Sequence, residues 1–99
     1  MRIAIEHNTT REKARKIVEK RLRDAEKQYG DKASDLDWEW QGDTLHVNVK
    51  ARGMHLKGTL EVTETTVIVD GKLPLLAKPF ESKIRHSVER EAESMFRTA

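Results

Sequence analysis

The chain has 99 residues, 36% of them charged and 36% hydrophobic, and its formal net charge is only +2. This length predicts a single domain over residues 1–99, with room for one modest core. Cysteine is absent, which excludes a disulfide framework and thiolate chemistry. The chain shows neither a signal-peptide pattern nor an apolar run of membrane-spanning length, so we expect a cytoplasmic protein.

A short strand at residues 2–6 and a helix open the predicted structure. Thr9 is followed three residues later by Glu12, which is the capping-box pattern of a helix start. Gly30 is suited to end this helix in the left-handed conformation. Between them, apolar residues recur at intervals of three and four on one stripe: Ala14, Ile17, Val18, Leu22, Ala25 and Tyr29.

The middle of the chain predicts four antiparallel strands in a meander. We place the turn tips at three dipeptides: residues 42–43, 52–53 and 64–65. With these tips the apolar residues of neighbouring strands face one another, and a slip of one residue would move each apolar set to solvent. The third turn is the weakest, because neither of its residues favours a positive φ, and a longer loop stays open.

Gly58 falls in the middle of the predicted apolar face, beside Val47 and Gly71. It leaves a shallow place, which we interpret as sheet curvature or a bulge, the usual meaning of a strand glycine. A close approach by a helix is the alternative. Trp38 and Trp40 alternate with acidic residues on the same strand, so we predict that both lie in the core.

A second helix follows the sheet, with Pro79 in its first turn. Its predicted apolar stripe runs through Phe80, Ile84, Val88, Ala92 and Met95. Two such helices can cover the single apolar face of the meander. The predicted fold is therefore α+β: a four-strand antiparallel meander plus a short N-terminal strand, with two helices packed on one face, in the order β-α-β-β-β-β-α. The pattern does not decide which sheet edge takes the N-terminal strand.

The polar residues do not form a catalytic or metal-binding pattern. His46 and His55 lie on neighbouring strands without a third ligand, and neither His7 nor His86 has an identifiable acidic or serine partner. One acidic row projects from the solvated sheet face, where charge pairing explains it better than acid–base catalysis: Asp35, Asp37 and Glu39. We expect no catalytic residue, no metal and no cofactor, and hence no enzyme.

Two surfaces remain as candidate binding sites. Basic residues outnumber acidic ones on the first helix, which allows a small nucleic-acid-binding module, although pairs such as Glu19 with Arg23 also explain those charges. The other surface is an apolar cluster around two prolines, which is either core at the sheet–helix corner, the commoner case, or an exposed lip for a hydrophobic partner: Leu73, Leu75, Leu76 and Phe80.

Taken together, these segments resemble the polyhydroxyalkanoic acid system, or granule-region, family of small bacterial proteins. The residues that carry the resemblance span positions 3 to 96: His7, Ala14-Arg15, Tyr29-Gly30, residues 40–45, residues 73–80 and Lys83-Ile84. Pro74 departs from the family pattern, where glycine is expected. The resemblance implies a cytoplasmic protein whose partners are the polyester granule surface or granule-associated proteins. It implies no known reaction and no defined ligand site.

The hypothesis from the sequence is therefore a non-enzymatic accessory or binding protein of polyhydroxyalkanoate granules. Its candidate contact with a hydrophobic partner is the apolar lip, which we define as Leu73, Leu75, Leu76 and Phe80. The alternative is a nucleic-acid-binding module that uses the basic first helix.

Overall fold

The computed structural model describes residues 1–29, 35–51, 54–73 and 75–97. Its elements follow one another as β1 (Arg2–Glu6), α1 (Arg11–Tyr29), β2 (Asp35–Gln41), β3 (Thr44–Ala51), β4 (Met54–Val62), β5 (Thr66–Lys72), a 3-10 helix (Leu75–Phe80) and α2 (Glu81–Phe96). This α+β arrangement, in the order β-α-β-β-β-β-α, confirms the predicted fold class.

All five strands form one antiparallel sheet in the order β1-β5-β4-β3-β2. The N-terminal strand therefore joins the sheet beside β5, where Ile3 pairs with Val69 and Ile5 with Val67. The sequence left this edge undecided. The tertiary structure decides which edge β1 joins. Beside β5, β1 extends the apolar rows of that strand and so enlarges the face that the helices cover.

The predicted register of the meander is confirmed. Trp38 pairs with Val47, Val47 with Gly58, and Gly58 with Gly71, so these residues form one row across the apolar face. In the first turn Gly42 has a φ of 63°, a conformation that glycine adopts without strain. The tip at residues 52–53 lies outside the described residues.

The third turn has its tip at residues 64–65, as predicted. The last pair of the ladder is Val62 and Val67, and beyond it the backbone N–H of Thr63 donates to the Thr66 carbonyl at 2.8 Å. The Thr63 hydroxyl closes this loop by accepting the backbone N–H of Thr66 at 2.9 Å. A side-chain hydrogen bond therefore stabilises this turn, which has no glycine to adopt a positive φ.

The start of α1 differs from the prediction by one residue. Thr10, not Thr9, caps the helix: its hydroxyl accepts the backbone N–H of Lys13 at 3.2 Å. The chain turns into the helix through Asn8, which has a φ of 55°. The predicted cap at Gly30 lies outside the described residues.

The start of α2 also differs from the prediction. Pro79 lies in the 3-10 helix, and α2 begins at Glu81. Phe80, which we expected in the apolar stripe of this helix, precedes it and is 57% exposed. That expectation was wrong because the 3-10 turn changes the angle per residue and takes Phe80 off the stripe. Ala92 and Phe96 of the stripe's C-terminal half are buried.

The core lies towards one end of the apolar face. Its buried cluster comprises Ala14, Val18, Leu45, Val62, Val67 and Phe96. Trp38 and Trp40 are half-buried and pack against its margin, so their predicted face is right but they do not lie at its centre. The Arg15 guanidinium lies 4.3 Å from the centroid of the Trp40 ring, a cation–π distance that covers this ring from the solvent side.

A candidate apolar site at the open end of the sheet

The buried end of the apolar face is completed by a histidine. His7 is fully buried and its ring lies 6.2 Å from that of Phe96. Its Nε2 is 2.9 Å from the carbonyl oxygen of Thr63, and its Nδ1 accepts the backbone N–H of Thr9 at 3.2 Å. A carbonyl only accepts and an amide only donates, so the ring is neutral with its proton on Nε2.

His7 thus joins three parts of the chain: the end of β1, the start of α1 and the loop between β4 and β5. Its own backbone N–H donates to the carbonyl of Thr65 at 3.0 Å. No partner for this histidine could be predicted from the sequence. Its partners are backbone groups, which a pattern of side chains does not reveal. We call this region the closed end: His7, Leu45, Val62, Val67 and Phe96, beneath Ala14 and Val18 of α1.

The opposite end of the same face is not closed. Past the core, the sheet, Leu22 of α1 and Ile84 of α2 line an apolar cleft with a volume of about 260 Å³. Its apolar lining side chains are half-buried. We call this region the open end; the side chains and glycines that form it are Leu22, Val47, Val49, Leu56, Gly58, Leu60, Val69, Gly71, Leu73 and Ile84.

Two glycines form the floor of this cleft. Gly58 and Gly71 face each other across β4 and β5, and the backbone bond from Gly71 N–H to the Met1 carbonyl, 3.0 Å long, turns the polar groups of Gly71 towards β1. The pair is therefore of the close, non-hydrogen-bonded kind. A Cβ on Gly58 would lie 3.1 Å from the Asp70 carbonyl oxygen, and one on Gly71 would lie 3.2 Å from that of Lys57. Both strands approach too closely there for an unstrained side chain.

Among the described residues, the helices contribute Leu22 and Ile84 to the lining of the cleft and leave its floor open. The packing of α2 is against β1, α1 and the 3-10 helix, and that of α1 is against α2 and β4. The shallow place predicted at Gly58 is therefore real, and it extends into a cleft, which the sequence did not predict. The cleft arises from the placement of the two helices, and no local pattern encodes that placement.

The structure places the two described members of the apolar lip in different surroundings. Leu73 is half-buried and lines the cleft. Phe80 does not line it, and it is the large hydrophobic residue that stands exposed in the described part of the chain. The backbones of Leu75 and Leu76 belong to the 3-10 helix, and their side chains lie outside the described part of the structure.

The opposite, polar face of the sheet carries a shallow concavity of about 520 Å³. His46 and His55 line it from β3 and β4, but the register places His46 opposite Thr59 and His55 opposite Lys50. Within the described ranges, histidines and acidic residues nowhere form a group of three or more that could hold a metal ion. Lys57 and Lys72 lie directly opposite each other, so this concavity suits an anion better than a cation.

The basic surface of α1 is partly neutralised within the molecule. Arg11 and Arg15 approach the two carboxylate oxygens of Asp43 at 3.5 and 3.4 Å. Arg21 reaches Glu91 of α2 at 2.8 Å, and Arg23 pairs with Glu19 along the helix at 3.6 Å. Arg11 and Arg15 thus link α1 to the turn between β2 and β3, and Arg21 links it to α2. The Arg23 pair lies within the helix, and exposed pairs such as these contribute little to stability.

The fold and the cleft define a small α+β domain with an open cleft lined mainly by apolar side chains and no metal-binding group among the described residues. The described helices include none long and apolar enough to span a membrane. Residues 1–96 match the model of a family described as "Putative polyhydroxyalkanoic acid system protein", and the chain belongs to that family. Neither the curated proteins nor the solved structures provide a significant match to the chain.

Proposed function

We propose that this protein is a non-enzymatic accessory protein of polyhydroxyalkanoate storage that works in the cytoplasm at the surface of the polyester granule. Family membership supports the link to the polyhydroxyalkanoate system. The observation that carries the surface role is Phe80, which is 57% exposed and is the exposed large hydrophobic side chain among the residues whose burial the structure describes.

The contact we propose is the apolar lip. Phe80 follows Pro79 in the 3-10 helix, and proline restricts the backbone, so less conformational entropy is lost when the segment is held against a partner. Lys78 and Lys72 are exposed on either side of it and keep its rim hydrated. Covering one large apolar side chain contributes roughly 1.5–3 kcal/mol, so a few of them support a reversible association.

The test is fractionation of polyester-accumulating cells that carry Phe80→Asp. We expect this variant to keep its melting temperature and to leave the granule fraction. The matched control is His86→Asp, which adds the same charge at an exposed position of α2 and should stay with the granules. A wild-type chain that does not travel with the granules would refute the proposed function.

Leu75→Asp and Leu76→Asp, each made alone, complete the test of the lip. If the two leucines contact the partner, at least one variant should fold normally and lose granule association. If both variants unfold, these leucines belong to the core, and the lip is reduced to Leu73 and Phe80.

Nucleic-acid binding by α1 is the second candidate. It is supported by the lysines that α1 exposes beside its paired arginines: Lys13, Lys16, Lys20 and Lys27. Binding through phosphates must weaken steeply as salt is added. A titration of duplex DNA and single-stranded RNA between low and physiological salt therefore separates the two candidates. Tight binding with a steep salt dependence, together with absence from granules, would favour this second function.

A further inference from the structure

We propose that the open end is a binding site for one unbranched alkyl chain, the aliphatic part of a single hydroxyalkanoate unit of medium length. The identity of the ligand rests on the proposed function, whereas the site itself rests on the geometry of the cleft. The lip and the cleft would then have separate tasks: the lip contacts a surface, and the cleft takes up one chain.

The chemistry of the lining selects an aliphatic ligand. Every side chain that the register directs into the cleft from β3, β4 and β5 is aliphatic or is the hydrogen of a glycine. The polar residues that border the cleft, such as Lys57 and Asp70, alternate with the glycines, so their side chains lie on the other face of the sheet. A polar ligand group placed among these side chains would lose its water and gain no partner from them, which disfavours sugars, nucleotides and peptides. The Met1 ammonium borders the cleft, but it already donates to the Gly71 carbonyl at 2.9 Å.

The glycine pair shapes the floor for a chain. Because Gly58 and Gly71 lack a Cβ, the row Val47–Gly58–Gly71 is lower than the rows on either side of it. A slender alkyl chain can lie in such a trough against the backbone, with Val49 and Leu56 along one wall and Leu60 and Val69 along the other.

The volume limits the length of the chain. With a volume of about 260 Å³, the cleft can cover an alkyl chain of medium length but not a long one. A second copy of the protein is a poorer occupant, because a stable interface buries roughly 800 Å² per partner, far more than a trough of this size provides.

The experiment is a chain-length series on the full chain. Saturated carboxylates from hexanoate to tetradecanoate, each below its micellar concentration, are titrated while backbone amide signals are followed by NMR. Each methylene added inside the cleft should tighten binding by about fourfold. The gain should stop within the series, at the length that fills the cleft, and the perturbed amides should lie on β3, β4 and β5 around the two glycines.

Four results would overturn the proposal. Affinity that keeps rising through fourteen carbons, with no limit in chain length, would indicate partitioning onto an unspecific surface. Perturbed amides confined to other parts of the molecule, or no saturable binding at any length, would show that the cleft is not the site. A dimer in which this face is covered by a second copy, detected by sedimentation, would show a different occupant.

Leu56→Phe is designed to fill the cleft from its wall. It should weaken octanoate binding by about tenfold or more, since displacing two methylene contacts already costs that much. Ile68→Phe is the matched control, because Ile68 is half-buried on the other face of β5 and does not line the cleft; it should bind octanoate as the wild type does. Ile84→Phe fills the same cleft from α2 and replaces Leu56→Phe if that variant unfolds. Unchanged octanoate binding in a folded, cleft-filled variant would contradict the proposal.

The failures of the two proposals are distinguishable. If the wild-type protein binds no alkyl chain but still travels with granules, the cleft proposal fails and the accessory function stands. If it binds octanoate with the expected limit in chain length but does not travel with granules, the granule function fails and the alkyl site stands.

Discussion

The closed and open ends of the sheet face are built from the same kinds of residue, yet they differ completely in burial. Leu45 and Leu56 lie on neighbouring strands and point to the same side, but Leu45 is fully buried and Leu56 is only half-buried. Above Leu45 lie Ala14, Val18 and Phe96, which belong to one buried cluster with it. Alternation along a strand therefore specifies which side is apolar, and the helices decide how much of that side is covered.

The difference between the ends also concerns their polar groups. At the closed end the imidazole of His7 satisfies two backbone groups that the loop and the helix start leave without partners. At the open end the glycines leave the backbone itself as the lining. Met1 satisfies Gly71, whose N–H donates to the Met1 carbonyl at 3.0 Å and whose carbonyl accepts from the Met1 ammonium at 2.9 Å. A buried polar side chain closes one end, and the other end stays open because its floor consists of two glycines.

The largest expected effect is the contrast between Leu45→Ala and Leu56→Ala. Leu45→Ala should lower the free energy of unfolding by about 4–5 kcal/mol, since it leaves a cavity in a fully packed cluster. Leu56→Ala should cost only about 1–2 kcal/mol, because solvent already reaches that side chain and little new cavity forms. Urea denaturation measures both values. Equal losses would mean that the two ends are packed alike.

His7→Ala tests how the closed end is held together. We expect a loss of about 3 kcal/mol in the free energy of unfolding, because the Thr63 carbonyl and the Thr9 amide lose their partner and a cavity opens beside Phe96. Thermal melting followed by circular dichroism gives the value. His86→Ala is the control, and since His86 is exposed its effect should stay within about 0.5 kcal/mol. A mild effect at His7 would mean that water replaces the ring there.

Leu56→Phe should be neutral or stabilising, in contrast to the same substitution in a full core. The cleft can accept the larger ring, so the free energy of unfolding should rise by up to about 1 kcal/mol. Leu45→Phe would overpack the closed end and should cost about 1–3 kcal/mol. Differential scanning calorimetry on both variants makes this comparison. Destabilisation by Leu56→Phe as large as that by Leu45→Phe would show that the open end lacks space.

The smallest expected effect concerns the ion pairs above the closed end. Asp43→Ala removes the partner of Arg11 and Arg15, but these side chains are about 40% exposed. Solvent screens such pairs, so the loss in the free energy of unfolding should be below about 1 kcal/mol. It should shrink further in high salt, as measured by urea denaturation at two salt concentrations. A loss of several kcal/mol would mean that the ion pairs, not apolar burial, close this end.

The features that the sequence predicted correctly are those that a periodic pattern of apolar residues specifies. The pairing of Trp38 with Val47 and of Gly58 with Gly71 followed from alternation and turn position, because a one-residue slip would expose every apolar residue. It failed where the geometry is not periodic. Thr10 replaces Thr9 as the cap because Asn8 adopts a positive φ, and Phe80 leaves the helix stripe because a 3-10 turn precedes α2.

The candidate site was only partly predictable for the same reason. The sequence indicated the apolar lip and the shallow place at Gly58 as separate features. Their meeting at the open end, where Leu73 lines the cleft that Gly58 begins, depends on how the helices cross the sheet. Residues such as Leu22 and Ile84 look like ordinary core positions in the sequence, since burial at either end of a face requires the same apolar residue types.

By itself, the sequence determined the class of the fold, the element order, the register of the meander and the family resemblance. These properties depend on local periodicity and on turns, which short stretches of chain encode completely. Only the tertiary structure decided which edge takes β1, that His7 is buried between backbone partners, and that one end of the apolar face stays open. Those outcomes depend on contacts between residues far apart in the chain, where helix placement and the missing Cβ atoms of two facing glycines determine which surface is covered.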